Sequence, residues 1–101
     1  MQVKVTRSAG QARIAIDGRF DFGCRQAFSS ACSAALAATD VKEMVVDLDR
    51  VAYLDSAALG MLLLLREKAS TARMPLRLTH GSGVVGDVLR VTKFDQLFAM
   101  Q

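Results

Sequence analysis

Aromatic residues, proline, histidine and cysteine are all scarce in this sequence of 101 residues. It contains no Trp, one Tyr, one Pro, one His and two Cys. Nucleic-acid-binding domains commonly combine aromatic stacking residues with a basic stripe. Here the arginines and lysines are scattered along the chain and the net charge is +3, so we do not expect a nucleic-acid partner.

Long hydrophobic runs are also missing. The longest run, residues 57–65, is too short to span a bilayer and continues directly into Arg66-Glu67-Lys68. The first seven residues lack the apolar stretch of a signal peptide. We therefore expect a cytoplasmic protein without a membrane partner.

The two cysteines, Cys24 and Cys32, predict reduced, packed thiols rather than a disulfide. Both fall on one predicted helix, where their spacing corresponds to a rise of about 12 Å. That separation is beyond the reach of a disulfide bond. The single histidine, His80, is distant from both in sequence, so we predict neither a metal site nor another cofactor.

Apolar periodicity predicts an α/β domain, a mixed β-sheet of about four to five strands with helices packed against it. The predicted element order is β-β-α-β-α-β-α, in one domain over residues 1–101. Strands are predicted at residues 3–6, 12–17, 44–48, 51–54 and 76–79. Helices are predicted at residues 24–38, 57–71 and 84–91. The last apolar segment, residues 94–100, is compatible with a helix or a strand.

Three local patterns refine this prediction. The first two strands should form a hairpin, after which Gly18-Arg19-Phe20-Asp21 leaves the strand as a loop. Residues 44–48 are apolar on both faces, which is typical of a central strand in a covered sheet. On the first helix, one face collects the apolar residues Phe28, Ala31, Cys32, Ala35 and Ala38.

The most informative stretch of the chain is Asp55-Ser56-Ala57-Ala58-Leu59-Gly60, between a strand-like segment and a helix. The pattern places the Ser56 hydroxyl at the N-cap, beside unpaired N–H groups and the positive end of the helix dipole. Such a position tolerates an anion, including a phosphate on Ser56. Since serine is a preferred N-cap in any protein, the local pattern alone favours a structural role. Asp55 beside it could serve the same capping purpose. The apolar first half of this helix is expected to be deeply buried.

Other chemistries receive less support from the sequence. A serine hydrolase would require Gly-x-Ser-x-Gly, whereas Leu54 and Ala58 flank Ser56 at those positions and His80 is the sole candidate base. Residues 81–86 have the form Gly-x-Gly-x-x-Gly, but too little chain follows for a dinucleotide-binding unit. They are interpreted as a loop and a helix start, with Ser82 as N-cap. A nucleotide-binding sensor, with a phosphate held at the second helix, stays open as an alternative.

Asp21 closes the segment that follows the second strand. A turn or helix-start role would be a sufficient explanation for an aspartate at this position. A functional role would require Asp21 to lie near Ser56. The ends of neighbouring strands at one edge of a sheet often converge, which makes this arrangement possible.

These residues resemble a known family. Val45-Val46-Asp47-Leu48, Val51 and the stretch from Tyr53 to Leu62 resemble the central signature of STAS domains. More specifically, they are similar to the stand-alone bacterial anti-sigma factor antagonists, also called anti-anti-sigma factors. Gly18-Arg19-Phe20-Asp21 is similar to the family's Gly-x-hydrophobic-Asp element. The stretch from Leu59 to Arg66 resembles a subgroup encoded with response regulators that carry a serine phosphatase domain.

The resemblance implies a single STAS domain with no enzymatic activity and no cofactor. It implies that the unphosphorylated protein binds an anti-sigma factor, often itself a serine kinase, and that phosphorylation of Ser56 breaks the complex. A PPM-type serine phosphatase, in the subgroup fused to a response regulator, would reverse the modification. Transcription would thus be regulated indirectly.

The resemblance also assigns roles to the residues around the serine. Asp21 and Asp55 would help to present Ser56. The remaining signature residues would lie in or under the partner surface: Ala57, Ala58, Leu59, Gly60 and Met61. Many members of the family have glycine at the position of Ala58, and an alanine there is compatible with the first turn of a helix.

Overall fold

The computed structural model describes residues 2–101. Within them the chain forms six strands: β1 (Gln2–Ser8), β2 (Gln11–Phe20), β3 (Glu43–Asp47), β4 (Val51–Leu54), β5 (Leu76–Leu78) and β6 (Ala99–Met100). Four α-helices are present over the same residues: α1 (Arg25–Ala37), α2 (Ser56–Thr71), α3 (Gly83–Val91) and α4 (Phe94–Leu97). A single turn of 3-10 helix, Phe22–Cys24, precedes α1.

The strands form one mixed sheet in the order β1-β2-β3-β5-β6, with β4 pairing separately to the end of β2. The β1–β2 pair is antiparallel, and the other pairs are parallel. Ala9 and Gly10 connect the hairpin, both at positive φ, the combination that a type I′ hairpin turn requires. The expected fold class is confirmed. The sheet gains a strand because the last apolar segment is both helix and strand, first α4 and then β6.

The predicted loop at Gly18-Arg19-Phe20 is wrong, because β2 continues to Phe20. Residues 11–15 of β2 pair with β3, whereas Gly18 and the residues after it pair with β4. The register shifts between Gly18 and Arg19, and Gly18 has a φ of 92°. A glycine at positive φ bends the strand at low cost. The bend lets the end of β2 leave β3 and pair with β4.

The core lies between the sheet and its helices. On α1, Phe28, Cys32 and Ala35 are buried as predicted, and Ala31 and Ala38 are partly buried against the same core. The helix begins at Arg25 rather than Cys24, because the 3-10 turn occupies the preceding residues. The central position of β3 agrees with its three consecutive buried residues.

The expectation that the first half of α2 is deeply buried is wrong. One stripe of the helix faces the core, and its members are Ala58, Leu62, Leu65 and Ala69. Between them, Leu63 is 39% exposed and Leu64 is 52% exposed. A helix that lies on a sheet buries positions three and four residues apart and leaves the intervening positions outside. The four consecutive leucines therefore belong to two different faces.

Both cysteines are free and buried. Cys24 belongs to the 3-10 turn, where its thiol lies 3.2 Å from the carbonyl oxygen of Arg19. Burial raises the pKa of the Cys32 thiol from its ordinary value of 9.0 to about 12, against a smaller lowering by the Lys68 ammonium. Among residues 2–101, none of the helices has both the length and the apolar character needed to cross a membrane.

Candidate functional site

The site is built where two neighbouring parallel strands end. Phe20 at the end of β2 pairs with Leu54 at the end of β4. The next residue after Leu54 continues this contact, since the N–H of Asp55 donates to the carbonyl oxygen of Phe20 at 3.4 Å. Asp21 and Asp55 each follow one of the paired residues directly. The structure thus brings the Asp21 segment alongside the start of α2.

Asp21 organises its own turn. Its Oδ1 accepts a hydrogen bond from the N–H of Gly23 at 3.0 Å, which caps the 3-10 turn. Its Oδ2 accepts from Nε of Arg19 at 3.4 Å. The Arg19 guanidinium also lies 4.2 Å from the centre of the Tyr53 ring, a cation–π geometry. The carboxylate therefore fixes the shape of the segment and is partly neutralised by an arginine.

Asp55, not Ser56, is the N-cap of α2, so the predicted capping role of Ser56 is wrong. Asp55 has extended backbone angles, and its Oδ1 accepts from the N–H of Ala58 at 2.9 Å. Because β4 ends at Leu54, Asp55 is the extended residue that leads directly into the helix, and aspartate is one of the preferred N-cap residues. Ser56 is the first helical residue, and it is exposed. Its hydroxyl is left available at the helix terminus.

The other predicted partner-binding residues differ in how far they are buried. Ala58 is fully buried, so its methyl group supports the turn from beneath. Leu59 and Met61 are partly buried against the core, and Ala57 is half-buried. Gly60 is exposed, and a Cβ atom added there would have nothing within 4 Å. Packing within the chain thus does not require a glycine at this position, although glycine weakens a helix by about 1 kcal/mol.

An exposed apolar surface adjoins Ser56. Ser56, Gly60, Leu63 and Leu64 are all exposed and recur at helical spacing along one side of α2. Two exposed aromatic residues lie on neighbouring segments: Phe22, 62% exposed, and Tyr53, 40% exposed. Contiguous apolar patches mark interaction sites, so this side of α2 is a candidate contact surface. Sequence reasoning did not include Phe22, Tyr53, Leu63 and Leu64 among the site residues, because an apolar run is indistinguishable from core until the helix is placed.

His80 belongs to a different part of the molecule. It lines a groove of about 370 Å³ beside α3, together with Gly81, Gly83 and Arg90, and Ser56 is not part of that lining. The glycine-rich segment forms the turn into α3, with Ser82 at the N-cap position but without a capping hydrogen bond from its side chain. Residues 2–101 contain no group of three or more His, Cys, Asp or Glu side chains placed to hold a metal ion.

Comparisons with known proteins agree with this architecture. Residues 3–100 match the family model described as Mlab, STAS domain. A STAS-domain containing protein of Pseudomonas aeruginosa (strain UCBPP-PA14) is 45% identical over 85 residues, which cover 84% of this chain and 82% of that protein.

Two solved structures illustrate the shared fold. An anti-sigma factor antagonist from Mycobacterium paratuberculosis aligns with a TM-score of 0.84 at 22% identity, covering 98% of this chain and 83% of that chain. The Bacillus cell fate determinant SpoIIAA in its phosphorylated form aligns with a TM-score of 0.75 at 14% identity, covering 99% and 91%. The family match over nearly the whole chain and the identity to the Pseudomonas protein show that this chain belongs to the STAS domain family.

Proposed function

We propose that this chain is an anti-sigma factor antagonist whose binding is switched by phosphorylation of Ser56. The observation that carries the proposal is an exposed serine on the first turn of α2, beside an exposed apolar surface. The capping bond of Asp55 leaves the serine hydroxyl free of a structural duty. Membership of the STAS family, and a fold shared with anti-sigma factor antagonists, support this role.

The fold should tolerate a phosphate on Ser56. Phosphorylation adds about −1.5 to −2 charges. Asp55 satisfies the N–H of Ala58, whereas the N–H groups of Ser56 and Ala57 have no acceptor within the helix. These groups and the helix dipole favour an anion at this end of α2. The solved unphosphorylated and phosphorylated forms of SpoIIAA, a protein of the same fold, support this reasoning.

The complex with a partner should not tolerate the same charge. A partner that covers Gly60 and Leu63 would also enclose the neighbouring Ser56 side chain. A dianion enclosed without a counter-charge carries a desolvation penalty of several kcal/mol, since a buried charge requires a partner. The carboxylate of Asp55, the preceding residue, adds to the negative charge that the partner would have to enclose. Phosphorylation therefore releases the anti-sigma factor, which is then free to bind its sigma factor.

In this proposal the chain supplies an acceptor hydroxyl and performs no catalysis. A serine kinase, which can be the anti-sigma factor itself, transfers the γ-phosphoryl group of ATP to Oγ of Ser56, releasing ADP and the hydroxyl proton. A PPM-type phosphatase, alone or fused to a response regulator, hydrolyses the phosphoserine. Asp21 and Asp55 hold the two segments around the serine in shape through their capping bonds.

Mass spectrometry and binding measurements test the proposal together. Intact mass of the protein from its native host should show an adduct of about 80 Da that maps to Ser56 and is removed by a PPM-type phosphatase. With the purified anti-sigma factor, Ser56→Ala should bind like the unmodified protein, and Ser56→Asp should bind at least about tenfold more weakly. Ser70→Asp, at an exposed serine further along α2, is the matched control and should bind normally. Equal affinity of the two Ser56 variants would contradict the switch.

A further inference from the structure

A groove of about 440 Å³ runs between α1 and α2. Phe28 and Leu65 are buried at its base, Met61 is half-buried, and Leu64 is 52% exposed on its wall. The groove meets the exposed side of α2 at Leu64, which is exposed and lies about two helical turns after Ser56. It therefore extends the apolar surface next to the serine toward α1.

The charge of this groove has one sign. Its lining includes two cationic side chains, Arg25 and Lys68, and no carboxylate. The nearest carboxylate on this seam, Glu67, lines the more open stretch that continues beyond Lys68. The α1 wall is otherwise uncharged and contributes the hydroxyl groups of Ser29, Ser30 and Ser33. A partner segment that fits it must offer apolar side chains to the base and negative charge to the two cations.

We propose that this groove docks an amphipathic helix of the anti-sigma factor, one with an apolar stripe flanked by aspartate or glutamate. The inference rests on the proposed function and identifies the partner element that the antagonist recognises. Along α1, the groove runs from Arg25 to Ser33, a rise of about 12 Å, which matches roughly two turns of a bound helix. Helix-in-groove recognition uses anchors at such spacing.

Two other occupants fit the observations less well. Pockets for small ligands enclose most of the ligand surface, whereas this groove has an exposed leucine and exposed serines along its walls. A second copy packed face to face would place the same patch on itself, because a two-fold interface is self-complementary. That arrangement would set the cations of one groove, Arg25 and Lys68, against a second groove that carries the same positive charge, and like charges oppose such a contact.

Site-specific cross-linking in the native host locates the occupant. The photo-reactive residue p-benzoylphenylalanine replaces Leu64 in the full chain, and a matched protein carries it at Val91, which is 77% exposed on α3. The expected product at position 64 is a cross-link to an acidic, amphipathic helical segment of the anti-sigma factor, absent from the Val91 control. A cross-link to a second copy, to a lipid or to a non-helical segment, or no cross-link at all, overturns the proposal.

Reversing the two positive charges of the groove tests the docking proposal separately from the proposed phosphorylation switch at Ser56. Arg25→Glu/Lys68→Glu should weaken binding of the purified anti-sigma factor about tenfold or more. Lys4→Glu/Arg77→Glu makes the same change in net charge at exposed positions outside the groove and should bind normally. Reversing the cross-linked carboxylates of the partner to lysine should restore affinity for the double variant.

The outcomes are distinguishable. Unchanged affinity of Arg25→Glu/Lys68→Glu, while Ser56→Asp weakens binding, overturns the groove and leaves the phosphorylation switch standing. Weakened affinity of that double variant, while Ser56→Asp binds normally, supports the groove and contradicts the switch. All four groove and control positions are exposed, so circular dichroism is expected to show the same folded state for both double variants.

Discussion

At the scale of single residues, Asp55 and Ser56 have different roles at the start of α2. The carboxylate of Asp55 closes the end of the helix through the N–H of Ala58, while Ser56 remains exposed. The aspartate is therefore a structural residue, and the serine is one that folding does not use. A residue that folding does not use is free to carry a reversible modification.

Replacing Asp55 tests this division. Asp55→Ala should lower the free energy of unfolding by about 1 kcal/mol, because an N-cap acceptor is lost. Ser56→Ala should change it by less than about 0.5 kcal/mol, as is usual for exposed positions. Urea denaturation of the two variants and of Asp55→Asn, which keeps a capping oxygen, provides the measurement. A larger loss for Ser56→Ala than for Asp55→Ala would show that the serine is the real cap.

The buried thiol of Cys32 is expected to make the free energy of unfolding decrease at alkaline pH. The folded state keeps its thiol protonated up to a pKa of about 12, whereas the unfolded thiol ionises near 9.0. The unfolded state therefore binds fewer protons between these values, and the stability contributed below pH 9 declines as pH rises toward 12. The expected slope is up to about 1.4 kcal/mol per pH unit.

Cys32→Ala isolates this contribution, because all other titrating groups are shared between the two proteins. Urea denaturation from pH 8 to pH 10.5 should show that the difference in stability between the parent and Cys32→Ala shrinks with rising pH. A difference that stays constant across this range would mean that the buried thiol ionises as easily as an exposed one.

At the scale of elements, β2 decides where the site forms. Its first part pairs with β3 and its end pairs with β4, and the change of partner coincides with Gly18. This change brings the residue after Phe20 beside the start of α2. The same end of β2 leads through the 3-10 turn into α1, and the end of β4, which pairs with it, leads into α2. The two helices that form the groove therefore both begin beside this pair of strand ends.

Gly18→Ala should therefore be costly. An alanine at a φ of 92° is strained, and such strain amounts to about 1–3 kcal/mol. Gly60→Ala is the matched control, because Gly60 lies within a regular helix with open space around it. We expect it to be neutral or to stabilise by up to about 1 kcal/mol. If thermal unfolding shows equal effects of the two substitutions, the bend at Gly18 does not depend on glycine.

At the scale of the whole molecule, each of the longer helices has an inner side that packs on the sheet and an outer side that faces water. The sheet and the inner stripes of the helices form the core, with Phe20, Ile14, Ile16 and Leu62 among its fully buried members. The outer side of α2, together with the turn at Phe22, leaves large apolar side chains in water. Ser56 lies on the same exposed side of α2 as Gly60 and Leu63, so the proposed switch would act at the edge of this surface.

Much of the fold follows from local sequence patterns. Alternation in residues 3–6 and 12–17 predicted the hairpin, and the apolar run at residues 44–48 predicted a central strand. The boundaries of α2 were predicted to within one residue of Ser56–Thr71. These features depend on residues close in the chain, so the periodicity of side chains is enough to indicate them.

The sequence by itself determined the class of the protein, its main elements and the serine that stands at the start of α2. Only the tertiary structure decided that Asp55 caps the helix, that β2 extends to Phe20, and that Leu64 faces outward beside α1. Each of these depends on which distant segment packs alongside, and an apolar or polar residue has the same local pattern whichever neighbour it meets. The surface around Ser56 is therefore a property of the pairing of β2 with β4 and of α1 with α2.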